Sequence, residues 1–288
     1  MNKKKIRILS TVLPIVLLLV GLSVMLYPVI SDWWNSKVQS RAVASYDRTV
    51  SEMSYSKTQI LLDQAKKYNE ALNSLQRPFT DYEQVEGYDD TLDISGTGIM
   101  GYISIPAINS ELVIYHSTSD EVLNIAAGHL QGTSLPVGGE GTHSVISAHR
   151  GLPSAKLFSE LDKLVVGDTF TITILDEILT YEVETIYIVE PDEIDKLLTV
   201  PGKDYVTLMT CTPYGINTHR LLIRSKRIDT FHESNINVTA DAAPVDSMVI
   251  VPFIALPLLG GLIVIWTVRG RKKSHRPVEL SRFKKDGD

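Results

Sequence analysis

Two long stretches without a charged side chain constrain this sequence more than any other feature. They cover residues 8–31 and 247–268, and neither contains Lys, Arg, Asp, Glu or His. A helix of about 18 or more predominantly apolar residues is long enough to cross a hydrocarbon core roughly 30 Å thick. The sequence therefore predicts two transmembrane helices, one over residues 8–31 and one over residues 247–268.

The charged residues are distributed unevenly around these two stretches. Residues 1–7 carry four basic and no acidic side chains, and residues 269–288 carry eight basic and three acidic ones. The part between the spans has 16 Lys and Arg against 31 Asp and Glu. Basic flanks mark the cytoplasmic side of a span, so we expect both termini in the cytoplasm and residues 32–246 outside the cell. An exterior this acidic excludes nucleic acid as a partner, because phosphate backbones select basic surfaces.

The first span has the character of an uncleaved signal anchor rather than that of a cleaved signal peptide. Its apolar core is longer than that of a signal peptide, and no small-x-small cleavage site follows it. Trp33 and Trp34 come just after it, and tryptophan is enriched at the membrane–water interface. We expect this segment to remain in the membrane, with lipid as its partner.

The segment that follows, residues 32–96, has a helical part and a loop. Ile60, Ala65, Tyr68 and Leu72 recur at roughly helical spacing in a polar context. This pattern predicts a solvated helix that serves as an arm or spacer rather than as part of a core. Residues 77–98 are rich in Asp, Gly and Thr, which favours a loop.

Residues 97–227 have the pattern of a β-domain. Short β-branched runs alternate with turn residues, and the only helical stretches are at residues 121–127 and 155–161. The runs lie at residues 102–105, 112–115, 144–147, 170–174, 179–189, 206–209 and 221–224. At least seven short strands in this length predict an all-β barrel or sandwich. A polar, acidic stalk over residues 228–246 then leads to the second span.

The chain has a single cysteine, Cys211, within the predicted exterior part. It has no intramolecular disulfide partner, so it is either a buried small side chain or a reactive nucleophile. If residues 206–211 and 220–224 are consecutive antiparallel strands, Cys211 and Arg220 stand at the same end of neighbouring strands. A guanidinium in that place can stabilise an oxyanion; the alternative is an arginine that only snorkels at a sheet edge.

A cysteine nucleophile also requires a base beside it. On the residues alone, His143, His149 and His219 are all candidates, and the sequence pattern does not choose among them.

Several motifs resemble those of one enzyme family. Thr-Leu-Met-Thr-Cys at residues 207–211 resembles the TLxTC signature of sortases, the cysteine transpeptidases of Gram-positive bacteria. The continuation to residue 224 and the segment over residues 143–158 resemble the pilin-polymerising subgroup, class C, as do residues 99–103 and 128–136. The resemblance implies an eight-stranded β-barrel with short helices, and two spans with both termini inside also fit class C.

The resemblance also assigns roles to individual residues. Cys211 would be the nucleophile, His149 the acid/base and Arg220 the group that positions the substrate and stabilises the oxyanion, with Thr210 as a further substrate-positioning residue. The implied substrates are LPxTG-like sorting signals, cleaved at Thr–Gly, and the implied acceptor is a pilin lysine. No metal or organic cofactor is implied, and no segment resembles an EF-hand loop. The alternatives are a sortase that anchors surface proteins to cell-wall peptide, and a non-catalytic, membrane-tethered adhesin or scaffold.

Class C sortases commonly cover their site with a loop that bears an Asp-Pro-aromatic motif. The corresponding segment here reads Arg77-Pro-Phe-Thr-Asp-Tyr82, so Pro78 and Phe79 fit the motif but a cation replaces the acid. Either Asp81 substitutes for the missing acid, or the lid closes by packing of Phe79 alone. The remaining alternative is an ordinary surface loop with an incidental Pro-Phe pair.

Overall fold

The computed structural model describes residues 3–230 and residue 260. The predicted second span over residues 247–268, apart from Gly260, the stalk beyond residue 230 and the basic tail lie outside the described residues.

The first element is a single long helix, α1 (Lys3–Ser51). It is the one helix among the described residues that is long and apolar enough to cross a membrane. The helix does not end at residue 31 with the predicted span, since residues 32–51 contain neither Gly nor Pro. Gln39, Val43 and Tyr46 recur at helical spacing in this second part and are buried against the barrel.

The predicted solvated arm proves to be a packed helix, α2 (Tyr55–Asn73), which Ser54 caps through its hydroxyl. The interpretation of this helix as a spacer outside the core was wrong. Leu62, Ala65, Tyr68 and Leu72 belong to the main hydrophobic core. Asn69, buried among them, donates to the carbonyl of Leu135 (3.1 Å) and accepts from its N–H (2.7 Å). The helix looks polar in sequence because only one narrow face is apolar, and that face is covered by the barrel.

The predicted β-domain is a closed, eight-stranded barrel, which confirms the expected fold class. The order around the barrel is β1-β2-β3-β4-β7-β8-β6-β5, and β5 pairs with β1 to close it. The strands are β1 (Ile99–Ile105), β2 (Ser110–Tyr115), β3 (Ala127–His129), β4 (Thr142–Ser147), β5 (Thr169–Ile174), β6 (Glu177–Val189), β7 (Asp204–Thr212) and β8 (His219–Ile228).

Two short helices interrupt the chain between these elements. They are α3 (Pro78–Asp81), within the segment expected to be a loop, and α4 (Asp120–Leu123), which overlaps the first three residues of the predicted helical stretch at residues 121–127. The other predicted helical stretch, at residues 155–161, is mostly turns, with a short 3-10 helix at Leu161–Lys163.

The short strand β3 was not recognisable in the sequence. It has only three residues and contains Gly128, where a Cβ would lie 2.2 Å from the carbonyl oxygen of Ser117. The glycine is therefore required by close backbone approach rather than by a turn.

Apolar side chains fill the barrel. Phe158, Phe170 and Tyr181 are almost fully buried there, and the rings of Phe170 and Tyr181 stack at 5.9 Å between centroids. Because a small barrel filled in this way leaves no internal cavity for a ligand, the chemistry must lie on its rim or outer face.

Candidate active site

Cys211 lies one residue before the end of β7, and its side chain is a free, partly exposed thiol. Burial alternates along this part of the strand, so that Met209 and Cys211 are partly exposed while Thr210 and Thr212 are buried. A strand presents alternate side chains on opposite faces. Met209 and Cys211 therefore share the outer face of the barrel.

The predicted pairing of Cys211 with Arg220 is present. Strands β7 and β8 are antiparallel, and Cys211 is the register partner of Arg220. Nη1 of Arg220 approaches the carbonyl oxygens of His219 (3.3 Å) and Asn217 (3.5 Å), both in or beside the β7–β8 connection. The guanidinium is thus held at the strand end by long contacts to main-chain oxygens, which a stronger anionic ligand could replace.

His149 follows β4, which pairs with β7 in parallel. The register aligns Ser147 with Met209. The N–H of Ala148 then donates to the carbonyl of Met209 (3.2 Å). β4 ends at Ser147, two residues before His149, and runs beside the part of β7 that leads to Cys211. The three residues of the expected triad therefore belong to the adjoining ends of β4, β7 and β8, and their catalytic roles stay predictions.

Thr210 has a different setting from the other candidates. Its side chain is 2% exposed, and its hydroxyl donates to the carbonyl of Ala148 (2.8 Å). This hydrogen bond holds the backbone that leads into His149. The observed contact is thus with the protein's own main chain, and a contact of Thr210 with substrate stays a prediction.

His143 and His219, the other two candidate bases, have distinct surroundings. The ring of His143 is buried between Thr207 Oγ1 (2.7 Å) and the carbonyl of Leu198 (3.0 Å), and burial lowers its pKa to about 4. His219 is the register partner of Thr212, and its Nε2 lies 3.2 Å from a carboxylate oxygen of Glu190. His143 thus has a structural setting, whereas His219 lies close to the site.

One residue that the motifs did not single out, Arg150, connects the two sides of the site. Its side chain is only 8% exposed and forms an ion pair with Asp162. The guanidinium also donates to Thr212 Oγ1 (3.2 Å) and lies over the ring of Tyr214 (5.6 Å). Arg150 follows His149, and Thr212 follows Cys211. The hydrogen bond between Arg150 and Thr212 therefore links the segment after β4 to the end of β7. Its place next to His149 and the scarcity of arginine in the barrel were the available signals.

The predicted lid lies on the barrel as helix α3. Phe79 packs against Val145, Val189 and Leu222 on the outer face, in a cluster that Met209 also joins. A Cβ at Gly132 would lie 2.8 Å from the carbonyl oxygen of Pro78, so the lid backbone rests directly on this glycine. The aromatic residue of the motif is therefore docked on the face that carries the thiol.

The carboxylate of Asp81 turns toward its own segment. It lies 3.4 Å from Nε of Arg77 and accepts from Thr80 Oγ1 at 3.0 Å. Arg77 thus pairs with the acid that was the candidate substitute in the motif. Phe79 is the motif residue that packs on the barrel, and closure of this segment over the thiol stays a prediction.

The described part of the chain contains no group of three or more His, Cys, Asp or Glu side chains that could hold a metal ion.

A closed barrel with a cysteine, an arginine and a histidine at adjoining strand ends is the arrangement of a sortase. A sequence model of the sortase domain matches residues 103–228. The chain also shares 47% sequence identity with sortase C1 from Streptococcus agalactiae, a solved structure. The TM-score is 0.61, and the match covers 66% of this chain and 100% of that chain. The chain belongs to the sortase family.

Its relatives among solved structures are sortases C. Sortase C from Streptococcus pneumoniae is 45% identical and has a TM-score of 0.60, with 66% of this chain and 97% of that chain covered. Sortase C from Clostridium perfringens is 41% identical, with a TM-score of 0.56 and 66% and 99% covered.

More distant curated relatives match less than half of this chain. Sortase A from Streptococcus agalactiae is 28% identical over 131 residues, which are 44% of this chain. Sortase D from Bacillus subtilis is 29% identical over 131 residues. The match spans 52% and 63% of the length of these two relatives.

Proposed function

We propose that this protein is a membrane-anchored cysteine transpeptidase that polymerises pilin subunits. The observation that carries the proposal is the register that places Cys211 opposite Arg220 and beside the end of the strand that leads to His149. Similarity to sortases C supports it, and the structure of the Streptococcus pneumoniae relative is described in terms of pilin substrate specificity.

The proposed first half-reaction is acyl transfer to the thiol. His149 takes the proton of the Cys211 thiol. The thiolate sulfur then attacks the carbonyl carbon between Thr and Gly of an LPxTG-like sorting signal, and the carbonyl electrons move to oxygen. Arg220 stabilises this oxyanion with charge-assisted hydrogen bonds. The oxyanion then collapses, the C–N bond breaks, and His149 donates a proton to the leaving glycine amine. The product is a thioester on Cys211.

The second half-reaction uses a lysine amine of another pilin subunit. The amine nitrogen attacks the thioester carbonyl, His149 accepts a proton from it, and the Cys211 sulfur leaves as the isopeptide bond forms. None of these steps requires a metal or a redox cofactor, since acyl groups are only exchanged between sulfur and nitrogen.

The lid fits this scheme as a gate. With Phe79 seated on the outer face beside Met209, a substrate chain needs that surface free in order to reach the thiol. We assign Pro78 and Phe79 to a lid that closes by apolar packing, while Asp81 stabilises the segment through Arg77.

Mass spectrometry of the purified full chain with LPxTG-type peptides tests the chemistry. We expect an acyl adduct on Cys211 that disappears in Cys211→Ala, and transfer of this acyl group to an added peptide with a free lysine. Transfer only to the amine of a cell-wall peptide would replace pilin polymerisation with surface-protein anchoring. A wild-type protein without any adduct would favour the non-catalytic adhesin or scaffold.

The proposed location is the cell membrane, with the barrel outside and both termini in the cytoplasm. Protease added to wall-less cells should digest the barrel and spare an epitope fused to the C-terminus. Loss of that epitope would contradict the second span.

A further inference from the structure

The helix that carries the apolar span also fixes the barrel at a defined height above it. Helix α1 continues without a break from its apolar part into the part packed on the barrel. Tyr46 donates through its hydroxyl to the carbonyl of Met100 (2.8 Å) and accepts from the N–H of Leu175 (2.7 Å). Lower on the helix, Gln39 bonds the N–H of Val113 (3.0 Å) and the carbonyl of Ile125 (2.6 Å). The barrel is therefore attached along the helix rather than through a free linker.

The lowest contact on this helix involves the loop that begins at His149. We call residues 149–158 the histidine loop; the N–H of Phe158 donates to the carbonyl of His149 (3.1 Å) and closes its base. At its far side, the carbonyl of Ser154 accepts from Ser31 Oγ (2.9 Å), and the N–H of Lys156 donates to Asp32 Oδ1 (2.7 Å). Residues 31 and 32 are where the uncharged stretch ends, so the histidine loop reaches down to the boundary of the span.

The outer face of α1 at this height has the composition of an interfacial surface. Trp33 and Trp34 are 59% and 61% exposed, and Lys37 and Arg41 follow them, also exposed. At 100° per residue, Lys37 and Arg41 lie roughly 150–190° around the helix from the barrel-facing side chains. Among the described residues, neither of these two cations pairs with an acidic side chain. The same face is therefore aromatic at its lower end and positively charged above it.

These heights correspond to the layers of a bilayer. Arg41 lies eight residues above Trp33, a rise of about 12 Å in a helix. The headgroup layer on each side of the hydrocarbon core is about 5–8 Å thick. Lys37, about 6 Å above Trp33, falls within this layer. Arg41, about 12 Å above Trp33, lies beyond it on the aqueous side, where the surface potential of anionic lipids still attracts basic side chains.

We propose that the histidine loop and the outer face of α1 over residues 33–41 form a surface that contacts the lipid headgroups. Anionic phospholipids are the partner, bound through Lys37 and Arg41. The acids near the loop are already engaged, because Glu160 pairs with Lys156 and Lys163 and Asp162 pairs with Arg150. The loop thus offers the membrane no uncompensated negative charge from these residues.

The proposed contact with lipid limits how far the catalytic edge of the barrel can lie from the headgroups. Five residues separate His149 from Ser154, which is at most about 17 Å of extended chain. A catalytic edge this close to the headgroups is suited to polypeptides that are themselves held in the membrane. Only the suitability for membrane-held polypeptides rests on the proposed function. The contact with lipid is inferred from α1 and the histidine loop alone.

Fluorescence quenching by spin-labelled lipids tests the contact. In the full chain, Cys211→Ala removes the only cysteine, and Ser154→Cys then introduces a single labelling site. The Ser154 side chain is free for this purpose, because its carbonyl makes the bond to Ser31. The matched control is Ser95→Cys. Ser95 lies four residues before β1, whose first part is bonded to Tyr46. Tyr46 is about 22 Å further from the span along α1 than Ser31 is.

Both proteins are labelled with a bimane fluorophore and reconstituted in phosphatidylcholine vesicles that contain a headgroup spin label. We expect quenching of the label at residue 154 to exceed that at residue 95 at least threefold. Equal quenching at the two positions would overturn the proposal. Because the protein carries Cys211→Ala, the result does not depend on transpeptidation, and loss of peptide acylation would leave this result intact.

A second pair of measurements tests the anionic partner. Phosphatidylglycerol in the vesicles should increase quenching at residue 154 in the parent protein, and Lys37→Gln with Arg41→Gln should abolish that increase. An increase that survives both substitutions would refute the contact of these two cations with phosphate.

Discussion

Truncation of the lid aromatic, Phe79→Ala, should expose Cys211 to bulky thiol reagents. Truncating a fully buried phenylalanine costs about 3–5 kcal/mol. Phe79 is partly buried in its cluster on the outer face, so its loss should weaken lid docking by about half as much, roughly 1.5–2.5 kcal/mol. Since about 1.4 kcal/mol corresponds to a factor of ten, the open population should increase about 10-fold to 60-fold.

The assay is the rate of Cys211 modification by a bulky maleimide, followed by mass spectrometry. When the lid opens and closes faster than the reagent reacts, the rate follows the open population. The thiol is already partly exposed, so a small reagent should react at similar rates with both proteins and serves as a control.

Two further variants separate packing from charge. Phe79→Leu keeps most of the apolar contact and should label nearly as slowly as the wild type. Asp81→Ala removes an exposed ion pair with Arg77, and such pairs contribute about 1 kcal/mol or less, so labelling should rise by no more than about fivefold. Equal labelling of wild type and Phe79→Ala, with both proteins folded by circular dichroism, would refute the lid.

Three other outcomes follow from the site and the core. In the peptide-transfer assay, His149→Ala and Arg220→Ala should each lower kcat/KM by at least about a hundredfold without loss of the thermal transition; near-normal turnover in either would contradict its role. Burial lowers the pKa of His129 and of His143 to about 4, so folding disfavours their protonation. Stability measured by urea titration should therefore fall as the pH decreases from about 6.5 to about 4, by up to about 1.4 kcal/mol per pH unit for each histidine, and equal stability at pH 7 and pH 5 would contradict this. Arg150→Ala should lower kcat about tenfold or more with little change in KM, because a misplaced catalytic group slows chemistry rather than binding; a change in melting temperature alone would give Arg150 a purely structural role.

The barrel and the pairing of Cys211 with Arg220 could be predicted from the sequence because both depend on local patterns. The run at residues 170–174 alternates apolar and polar side chains as a strand does, and the β7–β8 register followed from the length of one connection. The helix α2 was misjudged because burial of its narrow apolar face depends on a surface that is distant in sequence. Strand β3 was missed because three residues with a glycine carry no periodicity.

The parts of the site that sequence patterns could not supply are contacts between loops. Nothing in the local sequence indicates that Arg150 reaches Thr212 and Tyr214, or that Asp81 turns to Arg77. The alignment of His149 with Cys211 came from a resemblance rather than from a pattern, since parallel pairing of β4 and β7 joins residues about sixty positions apart.

The unbroken course of α1 makes its length and phase a property of the whole protein. Each residue of an α-helix adds about 1.5 Å of rise and 100° of rotation. One residue inserted after Ile30, below the contacts of Ser31 and Asp32 with the barrel, would turn the barrel by about 100° about the helix axis, so that its catalytic edge pointed in another direction along the membrane plane. Seven inserted residues would nearly restore the direction but lift the barrel by about 10 Å. The number of residues in α1 between the span and the barrel therefore sets both the height of the barrel above the membrane and the direction in which its catalytic edge faces.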